Sequence, residues 1–292
     1  MSDIITAANL TKDYGGGKGV FDVSFGVKKG EAMGFLGPNG AGKTTTLRQL
    51  MGFTRPDGGT AEIFGLDCFA NAAKIQKNLG YLPGEIAFMD DMTGMEFIKF
   101  IAAMKSIKDM TRANELISYF ELDASGRIKK MSKGMKQKIG IVCAFMQSAD
   151  LLLLDEPTSG LDPLMQKKFI DLILREKQRG ATILMSSHLF EEIERTCDRT
   201  VIIRAGRIAA IETLDDLRKR QKKSIEIEFA NEAGAKSFAS AFKTSADGCN
   251  VNVLTDDINA LIKALGGYDV KNLMPRTQTL EELFMHFYGG EK

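Results

Sequence analysis

Gly37-Pro38-Asn39-Gly40-Ala41-Gly42-Lys43-Thr44 sits between an apolar run, Ala32 to Leu36, and a helical pattern, Thr44 to Met51. That setting reads the G-x-x-x-x-G-K-[ST] string as a phosphate loop, where alone it could be a glycine-rich structural turn. Glycines let the backbone fold tightly enough for successive N–H groups to converge on phosphate oxygens. The following helix adds its positive N-terminal end. Lys43 is expected to neutralise the β- and γ-phosphates, and the Thr44 hydroxyl to face Mg²⁺.

Further along, Leu151-Leu152-Leu153-Leu154 runs into Asp155-Glu156-Pro157. Side chains alternate along a strand, so adjacent carboxylates at its end can take different tasks. Asp155 suits holding Mg²⁺; Glu156 suits accepting a proton from an attacking water. Taken alone, an acidic pair here would read as the start of a solvated loop. Ala32 to Leu36, Leu151 to Leu154 and Thr182 to Met185 are short and apolar at nearly every position, as strands buried on both faces of a parallel sheet are. Helical patterns lie between them, including Gln166 to Arg179. The alternation predicts an α/β core.

Around that core the patterns change. Ile4 to Val27 and Thr200 to Ile211 carry short β-type runs with glycine turns, and predict a small antiparallel sheet against the parallel one. Residues 84–150 read as an inserted helical subdomain, with helices over Thr93 to Met104 and Thr111 to Phe120. The first domain is expected to span residues 1–220. Residues 221–292 then predict a small α+β domain: strands at Ser224 to Phe229, Asn250 to Leu254 and Val270 to Met274, helices at Glu232 to Phe242 and Ile258 to Leu265, and a last helix opened by a Thr279/Glu282 capping box. No catalytic constellation is visible there.

With 292 residues, 44% hydrophobic and 26% charged, the chain has length for a large core and a second domain. Its 39 basic and 38 acidic residues nearly cancel. Neither nucleic acid nor direct adsorption on an anionic membrane is therefore expected. Cys68, Cys143, Cys197 and Cys249 form no C-x-x-C pair and suit reduced thiols. No stretch approaches the roughly 18 apolar residues of a spanning helix, and no basic leader precedes an apolar run. A cytosolic chain that meets the membrane only through a partner is expected.

The run Asp155-Glu156-Pro157-Thr158-Ser159-Gly160-Leu161-Asp162-Pro163 resembles the Walker-B and D-loop segment of ABC transporter ATPases, and the family's other motifs stand in order. Met131-Ser132-Lys133-Gly134-Met135-Lys136-Gln137 occupies the place of the LSGGQ signature, and His188 that of the switch histidine. Tyr14 falls where an aromatic ring stacks on adenine. The resemblance covers about residues 1–220. It implies a nucleotide site built from Tyr14, Gly37, Pro38, Asn39, Gly40, Ala41, Gly42, Lys43, Thr44 and Thr45, with Ser132 and Gly134 completing the site of a second subunit. Lys43, Glu156 and His188 are the implied catalytic set, and Thr44 and Asp155 the metal set. It further implies ATP and Mg²⁺ as ligands, a head-to-tail homodimer or heterodimer, and an integral-membrane permease at the inner face of the cell membrane. The Pro83-Gly84-Glu85 variant, the signature and the compact tail resemble the antibiotic and multidrug exporter branch.

Two departures stand out. Lys133 and Met135 depart from the signature, while Ser132 and Gly134 remain able to meet a γ-phosphate at a helix start. Gly84 replaces the glutamine that usually follows Tyr81-Leu82-Pro83, and Glu85 is the candidate substitute. Phe88, Met89 and Met92, apolar in an otherwise polar loop, are expected to help dock the permease. Blander readings apply elsewhere. Tyr14 could instead pack on an edge strand, and His188 could be an exposed side chain. Glu191, Glu192 and Glu194 read as a solvated helix face. Met131, Met135 and Met146 read as core filler, and His286 as structural. The alternative function is a soluble ABC ATPase acting on ribosomes or DNA, although such chains carry paired cassettes, heptad insertions or zinc motifs that this one lacks. A P-loop kinase or GTPase would leave the signature and His188 unexplained.

Overall fold

The computed structural model describes residues 3–219, 223–255 and 257–277. The chain divides into two compact units, Met1–Leu214 and Asp215–Lys292. The helix expected from Thr279, and His286 within it, lie outside the described residues.

The first unit is built on a six-stranded sheet. In spatial order its strands are Arg207–Thr213, Arg199–Arg204, Ala32–Leu36, Thr182–Ser187, Leu151–Asp155 and Gly80–Leu82. Five run parallel, and Arg207–Thr213 pairs antiparallel at one edge. All residues of Ala32–Leu36, Leu151–Asp155 and Thr182–Ser187 are buried, the double-sided burial that their unbroken apolar runs predicted. A second, antiparallel sheet orders Gly19–Lys28, Asp3–Asp13, Gly58–Ile63 and Leu66–Asp67. One apolar cluster takes residues from both sheets, Phe25, Ile63, Phe35 and Leu153 among them, together with Leu47 and Leu50 of the helix Lys43–Leu50.

The expectation that Thr200 to Ile211 joins Ile4 to Val27 in the antiparallel sheet is corrected. Arg199–Arg204 lies parallel to Ala32–Leu36 and extends the six-stranded sheet, and the third antiparallel strand is Gly58–Ile63. Val201, Ile202 and Ile203 are buried in succession, the pattern of a central strand rather than a half-solvated one. The β-type runs were visible, but partner choice is non-local.

The helical region contains Gly94–Met104, Thr111–Tyr119 and Lys133–Phe145. Thr93 and Glu96 close a capping box on the first of these: Glu96 N–H donates to Thr93 Oγ1 (3.2 Å), and Thr93 N–H donates to Glu96 Oε2 (2.7 Å). Helix Pro163–Gln178 starts three residues before its apolar pattern does, because Asp162 caps it and Pro163 occupies the first turn.

From Lys223 onward the described residues of the second unit run strand, helix, strand, strand, helix, strand. Its antiparallel sheet has the order Ala246–Asp247, Asn250–Leu254, Lys223–Phe229, Val270–Thr277. This is the ferredoxin-like arrangement. Ile225, Ile227, Phe229, Val251 and Val253 pack with Phe238 and Leu261 from helices Glu232–Ala241 and Ile258–Leu265. Asn231 and Asp257 cap those helices.

Candidate active site

Parallel pairing brings the C-terminal ends of Ala32–Leu36, Thr182–Ser187 and Leu151–Asp155 side by side, Leu36 opposite Ser187 and Asp155 opposite Ser186. Ligand crevices of open α/β sheets form at such ends. Gly37 to Gly42 leaves the first strand and turns into helix Lys43–Leu50, so the loop opens between its neighbours. Gly42 has φ +111°, and a Cβ there would lie 2.6 Å from Val20 Cγ1. Both the dihedral and the space demand glycine.

Three of the expected catalytic side chains meet here. The Lys43 ammonium, almost fully buried, donates to the carbonyls of Gly37 (2.6 Å) and Pro38 (3.2 Å) and lies 3.0 Å from Glu156 Oε1. Glu156 Oε2 is 2.6 Å from His188 Nδ1. One carboxylate thus bridges the cation of the phosphate loop and the imidazole. Glu156 holds this place with a left-handed backbone, φ +47°, a conformation costing a non-glycine residue about 1–2 kcal/mol. Its N–H donates to Ser186, to the carbonyl (3.2 Å) and to Oγ (3.0 Å).

Asp155 is wholly buried. Its Oδ1 accepts a hydrogen bond from Ser186 Oγ (2.5 Å), while Oδ2 has no hydrogen-bond partner. A buried anionic oxygen without a donor is costly, and that is the donor chemistry a hydrated divalent cation satisfies. The residues present therefore fit Mg²⁺. Gly84 lies against the same oxygen: a Cβ there would be 3.1 Å from Asp155 Oδ2. The departure from glutamine thus sits beside the candidate metal ligand. Glu85 points elsewhere, lining an apolar cleft of about 440 Å³ with Arg48, Phe53, Tyr81, Phe97 and Lys105.

Ser132 and Gly134 are not brought to Lys43. Ser132 is exposed and caps helix Lys133–Phe145, its Oγ accepting from Met135 N–H (3.2 Å). This segment packs on the loop after Glu156: Lys133 Nζ donates to Ser159 Oγ (2.9 Å), and Gln137 Nε2 donates to the Pro157 carbonyl (2.7 Å). Tyr14 is 55% exposed, its ring approached by the Lys12 ammonium at 5.9 Å. It stands free of the core, which leaves its ring face available for stacking.

Glu192 overturns the reading of Glu191, Glu192 and Glu194 as one solvated face. Glu191 is exposed, but Glu192 is buried and accepts hydrogen bonds from Thr158 Oγ1 and from Ser187 Oγ (2.7 Å). Burial pushes its carboxyl above the usual glutamate range, and the two hydroxyls pull it part of the way back. Phe88 likewise is less free than expected, its ring packing on Phe97 at 4.9 Å, whereas Met89 is exposed. Ser186, Ser187, Gln137 and Glu192 were assigned no role from sequence. The available signal was the pair of serines just before His188, hydroxyls at the end of an otherwise apolar strand.

A sequence model of the family described as ABC transporter matches residues 20–159. The bacitracin transport ATP-binding protein BcrA of Bacillus licheniformis is 34% identical over 99% of both chains. The linearmycin resistance ATP-binding protein LnrL of Bacillus subtilis (strain 168) is 32% identical over 98% of each. Among solved structures, the dimeric post-hydrolysis state of the ATP-binding cassette MJ0796 bound to ADP and Pi overlays with a TM-score of 0.65 at 23% identity, covering 72% of this chain and 98% of that one.

Proposed function

This chain belongs to the family of ABC transporter ATP-binding proteins, and from that premise we propose that it powers export by a separate integral-membrane permease at the inner face of the cell membrane. It is an ATPase subunit, and the first unit carries the cassette, with residues 84–150 as its helical subdomain and the second unit as an accessory domain. The carrying observation is the bridge of Glu156 between Lys43 and His188 at the phosphate loop.

In this reading the triphosphate takes the Lys43 ammonium from Glu156 and from the loop carbonyls, because phosphate oxygens carry more charge than either. The free N–H groups between Asn39 and Thr45 hold the β- and γ-phosphates, and the Tyr14 ring stacks on adenine. Freed of its cation, Glu156 accepts a proton from the water that attacks the γ-phosphorus; the new P–O bond forms as the bond to the ADP oxygen breaks. His188 orients Glu156 and faces the γ-phosphate. Asp155 and Thr44 would hold Mg²⁺, which when bound supplies charge neutralisation on the phosphates.

Ser132 and Gly134 lie on the signature segment, with Ser132 open to solvent, and in the proposed head-to-tail pair they complete the site of a second subunit, identical or homologous. ATP then stabilises the closed pair because that state alone gives the γ-phosphate both sets of donors. The relatives named for bacitracin transport and linearmycin resistance support an antibiotic-type cargo and an export direction. Among the described residues no helix is long and apolar enough to cross a membrane. The apolar cleft lined by Phe53, Tyr81 and Phe97, with Met89 near it in sequence, is the proposed seat for a cytoplasmic helix of that permease.

The test is Glu156→Gln. Turnover should fall at least about a hundredfold, ATP binding should persist, and an ATP-dependent dimer should accumulate on size exclusion. Rapid hydrolysis by that variant removes Glu156 as the base.

A further inference from the structure

Glu192 is a carboxylate in the wrong place for a merely stable fold. It is buried on helix Phe190–Thr196, and among the described residues no ammonium or guanidinium pairs with it. Its side-chain partners are the hydroxyls of Thr158 and Ser187. Burying a carboxylate on neutral donors alone costs stability relative to an apolar side chain of the same volume. Features of that kind concentrate where function needs them.

The partners say what the function is. Thr158 lies two residues beyond Glu156, and Ser187 immediately precedes His188. A hydroxyl has one proton: by donating it to Glu192 Oε2, Ser187 Oγ turns its lone pairs outward, and there it accepts the Leu189 N–H at 2.9 Å. That bond closes the turn on which His188 sits. The neighbouring serine repeats the device on the opposite face of the strand, as alternation requires. Ser186 Oγ donates to Asp155 Oδ1 and accepts the Glu156 N–H. Two successive serines thus each give a proton to a buried carboxylate and take a backbone N–H from the catalytic segment.

We propose that Glu192 is a positioning residue for the hydrolytic site: it orients the Ser187 hydroxyl that shapes the His188 turn, and ties that turn through Thr158 to the loop following Glu156. The proposal rests on the reading of Glu156 and His188 given above, and acts through them rather than on substrate. Neither the Glu192 nor the Ser187 side chain bonds the phosphate loop, which meets Ser187 through its backbone carbonyl (from Gly37 N–H, 3.3 Å), so the loss should appear in kcat and not in KM for ATP.

Steady-state ATPase kinetics on the full chain test it with Glu192→Gln, Ser187→Ala and the double variant. Glutamine keeps the volume but offers one acceptor oxygen instead of two, so one hydroxyl loses its partner. Expected are a kcat about tenfold lower in each single variant, KM for ATP within about twofold of the parent, and a double variant no slower than the slower single. A folded Glu192→Gln with parental kcat overturns the proposal, as do multiplicative losses in the double variant, or a loss that appears in KM. Should Glu192→Gln fail to fold, Ser187→Ala alone decides: parental kcat in that variant overturns the proposal. Failure here with Glu156→Gln still inactive leaves the base assignment standing, whereas an active Glu156→Gln removes the reading on which both depend.

Discussion

The two compact units treat polar atoms in opposite ways. In Met1–Leu214 the buried side chains include Lys43, Gln137, Asp155, Thr158, Ser186, Ser187 and Glu192; among the described residues of Asp215–Lys292 Ser224 alone is a buried polar side chain. The second unit follows the plain rule, with apolar residues alternating inward along Lys223–Phe229 and Asn250–Leu254 and helices capped by Asn231 and Asp257. The first breaks that rule most densely in one neighbourhood, where buried charge and a left-handed glutamate converge at adjacent strand ends. Not every exception is catalytic. Glu176 is also buried, but Arg112 and Arg179 flank it at 2.8 Å, and Arg112 thereby ties helix Thr111–Tyr119 to helix Pro163–Gln178. The lesson is to ask of each buried charge whether its partner is a counter-ion, as for Glu176, or a catalytic segment, as for Glu192.

Removing Lys43 should produce the largest effect. Lys43→Ala takes away the cation that phosphates and Glu156 share, and the ATPase rate should drop by about a thousandfold or more. Nucleotide binding, followed by fluorescent ATP titration, should weaken with it. The matched change in the other unit is Phe238→Ala, which empties a fully buried site packed by Phe229 and Tyr268. It should cost about 3–5 kcal/mol in that unit's stability, read as an early transition in denaturant, while basal ATPase persists at temperatures where the unit stays folded. If Phe238→Ala silences hydrolysis under those conditions, the division of labour between the units is wrong.

Gly42→Ala ranks next. The methyl would have to sit 2.6 Å from Val20 Cγ1 on a backbone at φ +111°, so the loop must shift or strain by about 1–3 kcal/mol. The expected result is a more than tenfold rise in the dissociation constant for ATP with only a modest fall in melting temperature. Gly40 offers a control within the same loop. It also has positive φ, but a Cβ there meets nothing within 4 Å, so Gly40→Ala should be milder.

Much of this was legible before any coordinates. The phosphate loop, the Asp155-Glu156 pair and His188 announce themselves because each is a polar break at the end of an apolar run, and a parallel sheet gathers such ends. Two helices of the second unit, Glu232–Ala241 and Ile258–Leu265, were placed to within a residue by apolar spacing. Sheet membership was not legible, since Arg199–Arg204 chooses its neighbour through long-range packing that its own pattern does not encode. Glu192 was misread for a related reason. Three glutamates in four positions look like one solvated face, yet helical geometry turns the middle one inward, and only its partners Thr158 and Ser187, 34 and 5 residues away, show why it is there.

The smallest effect gives the finest test of how the two units differ, because it isolates a cost that the first unit bears and the described residues of the second do not. The Glu192 carboxyl is shifted upward chiefly by desolvation, with the Glu156 charge adding to the shift while the Thr158 and Ser187 hydroxyls and His188 oppose it. The folded chain therefore holds that proton more tightly than the unfolded chain does. Its contribution to stability is fully present below the ordinary glutamate range and is lost as pH rises through the raised folded value. Glutamine cannot titrate, so Glu192→Gln lacks this loss. Measured by urea denaturation from pH 4 to 8, the stability of Glu192→Gln relative to the parent should climb across the acid limb and then level off, by about 1.4 kcal/mol for each unit of upward shift. Taking the difference between the two proteins at each pH cancels the titration of groups common to both. A difference that stays flat, or falls as pH rises, would mean that the carboxylate is stabilised in place. Glu192 would then belong with Glu176, as an ordinary satisfied charge.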